Sequence, residues 1–158
     1  IEAALSWLRE AQELCGELPL ADAAGTHLSL CALLSQLGRH SDAEHHAAEA
    51  VRLGEEDIMQ LHTLQPTPGV DKDGTAVLRE KASVLAVAYN NLAVQREFLG
   101  QAMECLALYE KAVIIAEGHM DVSNPLIARL RESHRNAVQT HRRIAVVAAL
   151  PPVRHPPA

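Results

Sequence analysis

Apolar positions recur every three or four residues along most of this chain, the spacing of helices that bury one face. From about Glu2 to Glu17, Ala4, Leu5, Leu8, Ala11 and Leu14 fall on a single face. Pro19 and Gly25 bracket a short connection, and a second segment from about Ala21 to Leu37 ends at Gly38, where glycine suits a left-handed cap. A third runs from Ser41 to about Leu61, with Ser41 as N-cap and Glu44 three residues on in a capping-box pattern. QPTPGVDKDGT, residues 65–75, reads as a loop and as the best internal boundary. A long helix follows from about Thr75 to Leu99 and stops at Gly100, and another covers about Ala102 to Gly118. Asn124 caps a last helix with Pro125 in its first turn, where the missing N–H is harmless. The pattern predicts an all-α chain of about five or six helices over residues 1–145, and residues 146–158 form a proline-rich extended tail.

The chain also repeats itself. With Gly38 set over Gly100, HLSLCALLSQLGRHSDAEHHAAEAVRL lies over YNNLAVQREFLGQAMECLALYEKAVII. Leu30 then meets Leu92, Cys31 meets Ala93, Ala43 meets Cys105, Ala47 meets Tyr109 and Ala50 meets Ala112. Repeats of this length arise where each helix pair leaves an apolar face that its neighbour buries.

An apolar residue followed by a small one, a turn glycine eight later, then small-x3-Tyr-x2-Ala resembles the tetratricopeptide repeat. LGQAMECLALYEKAVIIA carries the resemblance most clearly and LGRHSDAEHHAAEAVRL second. It departs in the 62-residue separation of Gly38 and Gly100, against about 34 for the usual repeat. Most aromatic positions are Ala or Leu, and the usual prolines are absent. The long spacing is similar to that of kinesin-light-chain-like members. THLSLCALLSQLGRH and AYNNLAVQREFLG are also similar to repeats in large protist flagellar and cytoskeletal proteins. The resemblance implies an α-solenoid of antiparallel helix pairs whose first helices line a concave groove for a protein or peptide partner. On that reading Asn90, Asn91, Val94, Glu97 and Phe98 face the groove, with Leu28, Ala32 and Ser35 on the helix before and Arg131 and Arg135 on the helix after. Asn91 matches an asparagine that peptide-binding members use to hold a ligand backbone. The basic set that clamps a terminal carboxylate is incomplete, so a chaperone-tail receptor is not expected.

Composition sharpens this in two ways. Only 3% of residues are aromatic while Ala and Leu dominate, which suits closely packed helices and not sheets. Charge is uneven: residues 1–128 hold eight Lys/Arg against nineteen Asp/Glu, whereas 129–158 hold six Arg and Glu132 alone. The last helix is thus a basic strip on an acidic body, open to an acidic partner or facing its acidic neighbours. No apolar run reaches the roughly 20 residues of a membrane span. The N-terminus lacks a signal-peptide pattern and a starting Met, which suggests a processed chain or part of a longer one. Cys15, Cys31 and Cys105, an odd set without CxxC, point to a reduced intracellular protein.

Candidate chemistry is sparse. His40, His45 and His46 lack the i, i+4 spacing of a helical zinc pair; Asp42–His46 and His45–Glu49 instead read as ordinary surface pairs. GVDKDGTAVLRE puts Gly69 where a calcium loop needs its first aspartate, so Asp73 or Thr75 is better read as a helix cap. VQTHRR matches the first half of a calmodulin-binding pattern whose second half fails at Ile144 and Ala148. There is no phosphate loop, no GxSxG and no cysteine with an obvious nearby base; Cys31 and Cys105 read as buried packing and Trp7 as core or a stacking contact. The expectation is a non-catalytic binding scaffold without cofactor or metal, placed in the cytoplasm, with a cilium or cytoskeleton as the more specific location. It would be part of a larger chain or complex, contacting no nucleic acid or membrane. Two competing readings are a ligand-sensing domain of a larger regulator and a metal enzyme built on the His40/His45/His46 cluster.

Overall fold

A computed structural model describes residues 20–63 and 71–148, and these are helical with no strand among them. The five helices are α1 (Leu20–Gln36), α2 (His40–Thr63), α3 (Asp71–Phe98), α4 (Ala102–His119) and α5 (Pro125–Ala148). The helix expected over residues 2–17, with Trp7 and Cys15, lies outside the described residues, as do residues 149–158 of the tail expected over 146–158; residues 146–148 end the last helix instead. Three other expectations need correction. Gly25 sits inside α1 and not in a connection. α3 begins at Asp71, four residues before Thr75, so residues 71–75 are helix and not loop; acidic residues are favoured in a first helical turn, which suits DKD there. α2 begins at His40, which puts Ser41 within the first turn, and Glu44 is held by Arg96 of α3 at 3.0 Å instead of closing a capping box.

Both turn glycines do what their position demands. Gly38 has φ +73° and Gly100 φ +77°, the left-handed region that costs a side chain-bearing residue energy. In each turn the glycine N–H reaches back three residues (to Ser35 at 3.0 Å, to Glu97 at 3.1 Å) and the next N–H reaches back five (Arg39 to Leu34 and Gln101 to Arg96, each 2.9 Å). This double closure satisfies the last carbonyls of α1 and of α3 identically. The start of α5 is equally explicit, since Leu126 N–H donates to the Asn124 side-chain oxygen at 2.9 Å and Pro125 needs no partner.

Each helix packs on the next, and α1 also touches α3. The interfaces are made of small residues: Ala43, Ala47 and Ala50 of α2, Ala82, Ala86, Ala88 and Ala93 of α3, and Ala112 and Ala116 of α4 are fully buried. Gly54 marks the tightest approach, because a Cβ there would lie 3.0 Å from Leu85 Cδ1 and 3.2 Å from Leu85 Cβ. Burial repeats at the 62-residue offset: Leu30/Leu92, Cys31/Ala93, Ala43/Cys105, Ala47/Tyr109, Ala50/Ala112 and Gly54/Ala116 are buried on both sides. Among the described residues no helix is long and apolar enough to cross a membrane.

The glycines give a test of opposite signs. No atom lies within 4 Å of a Cβ built on Gly38 or Gly100, so Gly38→Ala and Gly100→Ala should each lose about 1–2 kcal/mol through backbone strain alone. Gly25, helical and equally open, should gain about 0.5–1 kcal/mol as Ala. Urea unfolding midpoints of the three variants measure this.

Candidate functional site

The site begins with the least buried face of α3. Leu85, Tyr89 and Leu92 turn inward, whereas Asn90, Asn91, Val94 and Glu97 are half-buried and Phe98 is 65% exposed. Their spacing of three, four and seven residues puts them on one side of the helix. Leu28 and Val94 pack partly against the core, and Ala32 is exposed. Several of these groups already have partners. Glu97 accepts the Tyr109 hydroxyl of α4 at 2.9 Å. Ser35 accepts from Gln95 Nε2 at 3.1 Å, and Gln95 Oε1 accepts from His40 Nδ1 at 2.9 Å. The His40 ring lies flat against Phe98, with centroids 4.2 Å apart and planes 6° from parallel. Gln95 is 2% exposed and ties α1, α2 and α3 together at the turn end. Asn90 Oδ1 is shielded from solvent and accepts no hydrogen bond, so it is the one orphaned side-chain acceptor among the described residues.

Arg131 and Arg135 do not join this face through any contact. Arg131 pairs with Glu117 of α4 at 2.7 Å. With His134, Arg135, Val138, Gln139 and Arg142 it lines a shallow depression of about 420 Å³ on α5. A second depression of about 460 Å³ lies between Ile58, Met59 and His62 of α2, Leu85 and Tyr89 of α3 and Ile115 of α4. Its floor is braced by the Tyr89 hydroxyl donating to Glu55 and by Lys111 Nζ 5.4 Å from the Tyr89 ring. Burial, reinforced by that bond to Glu55, pushes the Tyr89 phenol upward and keeps it protonated.

The histidines are arranged differently from the expected surface pairs. His46 is only 6% exposed, and its Nδ1 lies 2.9 Å from Nδ1 of His27 on α1. One ring must donate and the other accept, so the two cannot both be protonated on Nδ1. Burial lowers both pKa values; nearby Glu49 offsets it in part for His27, and for His46 the rings of His27 and His45 reinforce it. Sequence reasoning looked for ligands along one helix and missed His27 on the facing one. The available signal was position about the turn: His27 lies eleven residues before Gly38 and His46 eight after. Among the described residues no three His, Cys, Asp or Glu side chains are grouped to hold a metal ion. Residues 71–80 are helical, so GVDKDGTAVLRE does not form a calcium loop.

The expectation that no cysteine has a nearby base also needs correction. Cys105 Sγ lies 3.2 Å from Nε2 of His141 on α5, and its S–H can donate to the Ala102 carbonyl at 3.1 Å. The thiol is fully buried, and burial with nearby Glu97 pushes its pKa up, against the thiolate a nucleophile requires. Cys31 is pushed up to about 11 by burial alone. Comparison with family models, with curated proteins and with solved structures finds no match to this chain.

The His27–His46 pair makes stability fall with acid. Both groups have folded-state pKa values below the ordinary 6.5, so their contribution is present above that value and is lost as pH falls through the lowered values. Urea midpoints should drop as pH falls below about 6.5. The His27→Gln, His46→Gln double variant should show a shallower drop, measured against the parent to remove the carboxylate background.

Proposed function

We propose that this chain is part of a tetratricopeptide-like α-solenoid and serves as a non-catalytic scaffold that holds a partner protein segment on the exposed face of its first helices. The observation that carries this reading is the 62-residue repetition, with matching glycine turns and matching buried positions. Chain direction agrees with antiparallel pairs: Glu44 near the start of α2 meets Arg96 near the end of α3, and Asp57 near the end of α2 meets Lys81 early in α3. In such a stack α1, α3 and α5 are the first helices of successive pairs, and their shared flank is the binding wall.

Asn90, Asn91 and Val94 are the working centre of that wall. Two amides one residue apart can donate to a carbonyl and accept from an N–H of an extended segment, and half-buried Asn91 is the one of the pair whose oxygen is not shielded from solvent. Val94 supplies the apolar contact between them and the Phe98–His40 stack at the end. A place in a flagellar or cytoskeletal assembly rests on the resemblance of the repeats alone.

Pull-down with the intact chain, quantified for Asn91→Ala and Val94→Glu beside the parent, tests this. A partner of the groove should lose at least about fivefold in affinity with Asn91→Ala, the roughly 1 kcal/mol exceeded by only a minority of interface truncations, and more with Val94→Glu. Circular dichroism of both half-exposed variants should match the parent. If every specific partner is recovered equally by all three proteins, the groove is not the binding face.

A further inference from the structure

The ion pairs of this molecule are distributed unevenly. Arg39 is committed to Asp42, Arg52 to Glu49 and Glu56, Lys81 to Asp57, and Arg96 to Glu44 and Glu104. On α5 only Arg131 has such a partner, Glu117, and that pair is half exposed. Arg129, Arg135, Arg142 and Arg143 form no ion pair with a described residue. In a chain with a formal charge of −6, four of the five described arginines without an ion pair therefore lie on α5, the fifth being Arg79 of α3.

They are also gathered on one side of it. Arg131, Arg135, Val138 and Arg142 follow at intervals of four, three and four residues, one stripe down a helix, about 16 Å from end to end. This stripe lines the depression on α5 together with His134 and Gln139. A solvated charge run would be convex and wholly polar. Here half-buried Val138 sits at the centre of the cationic row.

From this we infer that the α5 stripe is a docking site for an acidic amphipathic helix of another protein, with carboxylates one turn apart over the arginines and an apolar side chain over Val138. The stripe includes Arg131 and Arg135, expected on the groove side of α5, but the inference does not rest on the Asn90–Val94 face of α3. Two features of the chain favour this occupant. A long polyanion such as a nucleic acid would meet the acidic body beyond the stripe, whereas a short helix would not. The apolar centre at Val138 suits a side chain and not a phosphate row.

The test uses the intact chain and a fluorescent synthetic peptide of about 18 residues, roughly five helical turns, with Glu at four-residue spacing and Leu along the same face. Fluorescence anisotropy should show saturable binding that weakens as salt rises. Arg135→Glu with Arg142→Glu should reduce affinity by at least about tenfold, and the neutral Gln pair by less, as expected of charges at a contact. Asn91→Ala should leave it unchanged, which separates this site from the groove. Both arginines are exposed, so folding should survive, and the Gln pair decides the matter if the reversed pair does not fold. The proposal is overturned if the Gln pair binds as the parent does or if a Lys version of the peptide binds equally. It is also overturned if a single-stranded oligonucleotide of equal charge binds as tightly, or if the parent self-associates through these arginines in sedimentation.

Discussion

Close approach between helices through alanine and glycine is the constraint on which the rest of this structure depends. Ala43, Ala47 and Ala50 on one side and Ala82, Ala86 and Ala93 on the other leave no bulky knobs, and Gly54 lets α2 settle on Leu85. Each small residue buries little apolar area, so stability has to come from length. α2 and α3, with 24 and 28 residues, supply it. The two buried tyrosines, Tyr89 and Tyr109, act as exceptions that fill the widest gaps and hand their hydroxyls to Glu55 and Glu97.

Tight packing also explains where polar groups sit. Side chains at the helix edges reach across because the backbones are near: Arg96 joins the first turn of α2 to that of α4 through Glu44 and Glu104. Gln95 reaches both Ser35 and His40, and Cys105 reaches His141. These links hold the register between helices, and some reach the flanks, where Glu97 of α3 takes the Tyr109 hydroxyl and Arg131 of α5 pairs with Glu117.

Much of the fold was legible because it is local. Periodicity located the five described helices, glycine chemistry the two left-handed turns, and Asn124–Pro125 the start of α5. Buried positions in the repeat followed from the alignment of Gly38 with Gly100. What escaped depends on contacts between helices, which no single-helix pattern encodes. His46 looked like a surface partner of Asp42 until His27 arrived from α1, and the pairing of Arg131 with Glu117 came only with the packing of α5 on α4. Glu44 looked like a capping residue because Ser41 precedes it by three, yet a guanidinium from α3 outcompetes that local bond. Asn90, Asn91, Val94, Glu97 and Phe98 were expected on one face from the resemblance to the repeat, but the contacts of Glu97 with Tyr109 and of Phe98 with His40 came only with the packing.

The joint between α2 and α3 is where one repeat becomes two, and the Asp57–Lys81 pair fixes its register at 2.8 Å. Zero-length carbodiimide coupling of the intact chain, read by peptide mass spectrometry, tests that joint directly, because the chain's lysines are only Lys72, Lys81 and Lys111. Continuous packing of the two helix pairs predicts an amide between Asp57 and Lys81 as the dominant product of Lys81. Coupling of Lys81 only to carboxylates elsewhere in the chain would contradict it and would separate the two repeats.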